Sequence, residues 1–141
     1  MSTELEGLYQ QLILDHYRNP HGRALLADAT GQSHQLNPTC GDEVTLSVRV
    51  RDGVVEAVGW EGHGCSISQA SASLLATLVD DIPVDDARTL LEEFREAMRS
   101  RGQVSLDEDR FGDAIALNGV SKYVARVKCA MLPWVAFEAA L

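Results

Sequence analysis

Val44-Thr45-Leu46-Ser47-Val48-Arg49-Val50-Arg51-Asp52-Gly53-Val54-Val55-Glu56-Ala57-Val58-Gly59-Trp60 decides the fold. Val44, Leu46, Val48 and Val50 alternate with Thr45, Ser47, Arg49 and Arg51, the period of a strand with one buried face. Asp52-Gly53 suits a type I′ hairpin turn, and Val54 to Trp60 is the return strand. A two-residue turn pairs Arg51 with Val54. Val50, Val48 and Leu46 then fall opposite Val55, Ala57 and Gly59, and Arg49 opposite Glu56, a favourable cross-strand pair. Carried outward, this register sets Asp42 opposite His63 and Cys40 opposite Cys65. Gly41, Gly62 and Gly64 should fray the ladder there. One turn thus brings two cysteines to the same end of the hairpin.

The flanking segments read mostly as helices. Leu5, Leu8, Leu12 and Ile13 recur at helical spacing over Thr3 to Tyr17, with a Thr3-x-x-Glu6 capping box at the start and Asn19-Pro20 at the stop. Leu25 to Gln32 reads as loop and Ser33 to Leu36 as a short strand. Beyond the hairpin, Cys65 opens a helix carrying Ile67, Ala70, Leu74, Leu75, Leu78 and Val79, which ends at Asp80-Asp81-Ile82-Pro83. A third helix over Asp85 to Arg101 turns Ala87, Leu90, Leu91, Phe94, Ala97 and Met98 inward. Gly102 to Asp113 reads as a polar, acidic loop. A helical turn at Ala114, Ile115 and Leu117 should end at Asn118-Gly119. A closing helix carries Leu132, Val135, Phe137 and Leu141. Proline is tolerated in a first helical turn, so Pro133 predicts that this helix begins near it, with Cys129 at its start. The expected architecture is α+β, a small antiparallel three-stranded sheet with helices packed on one face. A single domain over residues 1–141 is expected.

The formal net charge is −9, from 12 basic and 21 acidic residues. This argues against nucleic acid as a partner, which needs a basic stripe. It suits either a basic patch on a protein partner or a surplus for solubility. No apolar run approaches the ~18 residues of a membrane span. No basic, apolar leader opens the chain. A cytoplasmic protein away from the membrane is expected.

Cys40, Cys65 and Cys129 are an odd, sparse set that makes a poor disulfide framework and contains no Cys-x-x-Cys pair. With Asp42 they form a plausible tetrahedral ligand set for zinc, and thiolates also hold iron–sulfur clusters. Cys65 at a helix N-terminus would feel the positive end of the dipole, which favours thiolate. Cys40 sits in a glycine-flanked loop, where an exchangeable ligand is expected. Cys65 and Cys129 look fixed. Arg126 or Lys128 could offset part of the ligands' negative charge. His16 and His21 are read as packing or surface residues, and His63 as a loop histidine, with a spare ligand as its alternative reading. No phosphate-binding glycine loop and no Ser/His/Asp triad can be placed.

Four blocks now stand in order: Leu14-Asp15-His16-Tyr17-x-x-Pro20, Asn37-Pro38-x-Cys40-Gly41-Asp42, Gly62-x-Gly64-Cys65-x-Ile67-Ser68 and Ala125-Arg126-Val127-Lys128-Cys129-Ala130. Together they resemble the IscU/NifU N-terminal family, the U-type iron–sulfur assembly proteins. Within that family the chain looks most like the SufU branch. The interval from Cys65 to Cys129 is long, with an insert around Arg101 to Gly112, and Lys128 stands where the scaffold branch has histidine. The resemblance implies an IscU-like fold and a zinc site of Cys40, Asp42, Cys65 and Cys129. It implies a zinc-dependent sulfurtransferase working with a SufS-type cysteine desulfurase, a pyridoxal phosphate enzyme. In that scheme a desulfurase histidine takes a zinc position, and the released Cys40 attacks the desulfurase persulfide. Arg126 supports the step by pairing with the displaced Asp42 or thiolate, and the sulfur passes to downstream SUF scaffold proteins. Two alternatives are a scaffold holding a transient iron–sulfur cluster on the same ligands and a non-catalytic, zinc-stabilised binding module.

Overall fold

A computed structural model describes residues 3–141, the Thr3 side chain excepted, so the Thr3-x-x-Glu6 capping box lies outside the described residues. The order is α1 (Thr3–Arg18), β1 (Gly31–Asn37), β2 (Asp42–Arg51), β3 (Val54–His63), α2 (Ser66–Leu78), β4 (Ile82–Pro83), α3 (Val84–Arg99), α4 (Glu108–Phe111), a 3-10 helix (Gly112–Lys122) and α5 (Val124–Ala140). The sheet is antiparallel in the order β1-β2-β3-β4. It has four strands where three were expected. The fourth is the Ile82-Pro83 end of the turn after α2, which lies along the free edge of β3 opposite Val55 and Val54. Proline is acceptable there because an edge strand need not donate.

The hairpin turn is type I′ as expected, with φ of 54° at Asp52 and 75° at Gly53. The register beyond Val50↔Val55 differs from the expectation by one residue. A bulge follows, and Arg49 pairs with Ala57, Val48 with Val58, Leu46 with Trp60 and Glu43 with His63. The expected pairs Val48–Ala57, Leu46–Gly59 and Asp42–His63 are therefore corrected, and the ladder stops before Cys40 and Cys65 can pair. The cause is burial. An unbulged ladder would turn Val58 and Trp60 away from the core, and a one-residue slip exchanges the faces. With Glu56 left over, Val55, Val58 and Trp60 all face inward, Trp60 with no exposed surface. Arg49 Nε still reaches Glu56 Oε1 at 3.0 Å.

The helices pack on the face that carries Val44, Leu46, Val48, Val55, Val58 and Trp60. All six inward residues expected of α3 are buried, and Phe94 stacks on Trp134 of α5 with ring centroids 4.3 Å apart. The opposite face is crossed by the chain between α1 and β1. There Leu26 N–H donates to Ser47 Oγ at 3.0 Å. A Cβ on Gly59 would stand 2.1 Å from the Ala24 carbonyl oxygen, so only glycine fits beneath that crossing.

Three expectations about the second half are revised. The stretch read as loop contains α4, capped by Asp107, and buries Phe111 6.4 Å from Phe94. The 3-10 helix runs through Asn118-Gly119 without ending, and Asn118 Oδ1 accepts the Leu106 N–H at 2.8 Å, anchoring the preceding loop. The closing helix begins at Val124, and Pro133 lies inside it. Cys129 is therefore in the helix body and not at its start. An internal proline removes one helical donor and crowds the carbonyl four residues back. The carbonyl that loses its donor is that of Cys129, and beside it Ser71 Oγ of α2 donates to the Ala130 carbonyl at 2.6 Å and accepts from Trp134 Nε1 at 3.1 Å, tying the two helices together. No helix among the described residues is long and apolar enough to cross a membrane.

Candidate metal centre

The centre is assembled from three places in the fold. The first is the connection between β1 and β2. The Cys40 N–H donates to the Asn37 carbonyl at 3.3 Å, closing a turn with an exposed Cys40 at its tip. Gly41 follows at φ 71°, a conformation glycine adopts freely. Asp42 then opens β2 directly opposite Asn37 and is fully buried.

The second is the start of α2. Cys65 is its N-cap, and its Sγ accepts the Ser68 N–H at 3.5 Å. That bears out Cys65 as the head of a helix. The Cys65 N–H donates to Asp42 Oδ1 at 2.8 Å, and Cys65 Sγ lies 3.7 Å from Asp42 Oδ2. Gly64 lets the two segments approach this closely. A Cβ there would lie 2.3 Å from Asp42 Oδ1.

The third is α5. Cys129 is 4% exposed, and its Sγ lies 3.5 Å from Cys40 Sγ. Burial pushes the Cys129 thiol well above the usual range, and contacts with Asp42, Cys40 and Cys65 push it further in the same direction. In the metal-free chain this sulfur keeps its proton at neutral pH, and a bound cation must displace it.

Ligand atoms of Cys40, Asp42 and Cys129 all lie within 4.8 Å of one another, and Cys65 stands outside that set, reaching it through Asp42. Tetrahedral zinc has ligand-to-ligand edges of about 3.8 Å between sulfurs and about 3.5 Å between sulfur and oxygen, given its usual bond lengths. The 3.5 Å sulfur–sulfur and 3.7 Å sulfur–oxygen separations match that frame. Soft thiols and one buried carboxylate are also the donor types zinc accepts. The residues therefore fit such an ion.

Other residues singled out from the sequence stand apart. Arg126 is exposed, with its guanidinium 5.7 Å from the Tyr123 ring centroid. It lines a groove of about 560 Å3 shared by α1, α2, the 3-10 helix and α5, beside Ser66. Lys128 and His63 are exposed. His16 is buried. Ser73 Oγ accepts the His21 N–H at 2.8 Å and shares a hydrogen bond with His16 Nδ1, also at 2.8 Å, while His16 Nε2 faces Asp113 Oδ2 at 3.6 Å. Ser73 has no exposed surface, so this Ser–His–Asp series ties helices together and presents no nucleophile. Asn37, to which no role is assigned above, is buried where it pairs with Asp42. Its place opposite Asp42 across a four-residue connection was the available signal.

Fold and site together define an α+β protein with a thiol-rich cluster suited to a metal ion. The chain belongs to the NifU-like N terminal domain family, which it matches over residues 8–130. It is 39% identical over 137 residues to the zinc-dependent sulfurtransferase SufU of Bacillus subtilis (strain 168), covering 97% of this chain and 91% of that protein. It is 39% identical over 134 residues to the iron-sulfur cluster assembly scaffold protein IscU of Thermotoga maritima, covering 95% and 92%. Among solved structures, the SUF-system protein FiSufU from Fervidobacterium islandicum AW-1 superposes with a TM-score of 0.80 at 32% identity, covering 92% of this chain and 93% of that one.

Proposed function

We propose that this chain is a zinc-dependent sulfurtransferase of iron–sulfur cluster assembly. It takes persulfide sulfur on Cys40 from a SufS-type cysteine desulfurase and passes it to downstream SUF scaffold proteins. The observation that carries this reading is the asymmetry of the thiols: Cys40 is exposed at a turn tip, while Cys65 caps α2 and Cys129 is buried in α5. Zinc held by Cys40, Asp42, Cys65 and Cys129 would keep the thiols deprotonated at neutral pH.

The chain's own residues do the rest. The Cys40 thiolate attacks the outer sulfur of the desulfurase persulfide. A sulfur–sulfur bond forms on Cys40, the donor's sulfur–sulfur bond breaks, and the donor cysteine leaves as a thiolate, so no oxidant is consumed. The Cys65 N–H holds Asp42, and the Ser68 N–H holds Cys65, while Cys40 swings outward. Arg126, one helical turn before Cys129, takes up the negative charge left on Asp42 or a thiolate by leaving the Tyr123 ring. A reducing cytoplasm suits three free thiols.

The test is single-turnover transfer from persulfide-loaded desulfurase, read as the mass gain of one sulfur on this chain. Cys40→Ser should lose the gain while keeping the wild-type circular dichroism spectrum. A Cys40→Ser protein that still gains sulfur sinks the proposal. A scaffold function is the second reading, favoured by the equal identity to the Thermotoga maritima protein. It requires a stable iron–sulfur cluster after anaerobic reconstitution, and Lys128 in place of the scaffold branch's histidine argues against it.

A further inference from the structure

Asn37 ends β1 and stands directly opposite Asp42 in the ladder. Directly opposite residues share a face of the sheet. On β1 that face includes Gly31, where a Cβ would strike the Ala140 carbonyl of α5. The Asn37 side chain therefore shares with Asp42 the sheet face on which α5 packs. Asn37 is only 7% exposed, and its Nδ2 is the buried side-chain nitrogen left without a hydrogen-bond partner among the described residues. Its main chain is engaged, since the Asn37 carbonyl accepts from the Cys40 N–H.

Buried amide donors are nearly always satisfied, so an idle one marks a place where an acceptor arrives. The neighbouring groups say what kind. Asp42 Oδ1 already accepts from the Cys65 N–H. Thiols are poor acceptors until deprotonated, and thiolates accept well. Three thiolates and a carboxylate carry more negative charge than a dication cancels. Arg126 is engaged with Tyr123, outside the cluster.

We propose that the Asn37 carboxamide donates a hydrogen bond to a thiolate sulfur of the metal-loaded centre, and that this donor is idle in the metal-free chain. Asn37 is then a positioning residue that favours the charged, metal-bound arrangement. This rests on the reading of Cys40, Asp42, Cys65 and Cys129 as a metal centre.

The test uses the full chain with Asn37→Ala and Asn37→Leu, the second close to asparagine in shape and without a donor. Zinc affinity is measured by competition with a chromophoric chelator, and melting of the metal-free proteins is followed in excess chelator. Loss of a partner hydrogen-bonded to a metal ligand weakens binding by about 10–100-fold. That loss is expected for both variants, with metal-free melting temperatures equal to or above wild type. In the cobalt-substituted proteins the sulfur-to-metal charge-transfer band should shift. Unchanged zinc affinity in a variant overturns the proposal. So does a parallel loss of zinc affinity and metal-free stability, the mark of a merely structural asparagine. Wild-type protein that takes up no zinc overturns the metal centre and this donor together. Tight wild-type binding matched by both variants removes the donor alone.

Discussion

His16 is held neutral by its surroundings. Its Nδ1 is hydrogen-bonded to the Ser73 hydroxyl, and burial lowers its pKa. The Asp113 carboxylate opposes that shift, Asp15 adds weakly to the opposition, and His21 reinforces the lowering. The folded value thus lies below the ordinary 6.5. Below that pH the unfolded chain binds a proton that the native chain resists, so stability is full above 6.5 and is lost as pH falls through the lowered folded value. Urea unfolding at about pH 8 and about pH 5 should show this loss, and His16→Gln should reduce it. An equal pH dependence in the variant would remove His16 as the source. At Gly64 the crowding is against Asp42. Gly64→Ala should displace the carboxylate, costing about 1–3 kcal/mol of stability and weakening metal binding, read by melting and by zinc competition. At this scale the ligand types and the Cys65 cap were legible, because side-chain chemistry and helix starts leave local marks. The idle amide of Asn37 was not, because whether a donor is satisfied depends on neighbours far away in the chain.

The β2–β3 hairpin shows where periodicity stops being informative. Its two strands and its turn were plain, but Val55, Ala57 and Gly59 offer an apolar face as regular as the one actually used. Side-chain volume breaks the tie. Burying Val58 and Trp60 releases far more than burying Ala57 and Gly59, by roughly 25 cal/mol for each Å2 of apolar surface. The chain accepts one unpaired residue to achieve it. Deleting Glu56 should leave a regular ladder with the same core face. The deletion variant should fold at a cost of about 1 kcal/mol or less, set by the partly exposed Arg49–Glu56 pair. Inserting one alanine between Val58 and Gly59 should reverse the face of Trp60 and prevent cooperative folding. Thermal melts of the two proteins distinguish these outcomes, and a deletion variant that fails to fold would refute the register account. Pro133 teaches a related point about α5. The first-turn preference describes helices left to themselves, whereas here the turn around the proline is held by tertiary packing, with Trp134 fully buried and bonded to Ser71 of α2.

For the whole molecule, the α+β class and the inward face of α3 followed from pattern alone. The fourth strand, α4 and the full length of the 3-10 helix around the expected turn at Ala114 to Leu117 did not, because all three exist through contacts made after collapse. The candidate ligands tie the β1–β2 connection, β2, α2 and α5 into one unit. A metal bound only by the native state adds stability by mass action, about 2.7 kcal/mol when free metal is a hundredfold above its dissociation constant. Zinc-loaded protein should therefore melt at a higher temperature than protein held in chelator, and coincident melts would refute a structural contribution from the ion. The contact between Cys40 and Cys129 joins residues 89 positions apart. Contacts of such separation form late, after the intervening chain has already lost its freedom. A nascent molecule with a finished hairpin and an undocked α5 lacks its third thiol. Under the function proposed above, the four ligands come together only once α5 has docked, so the metal would be held by the finished fold alone.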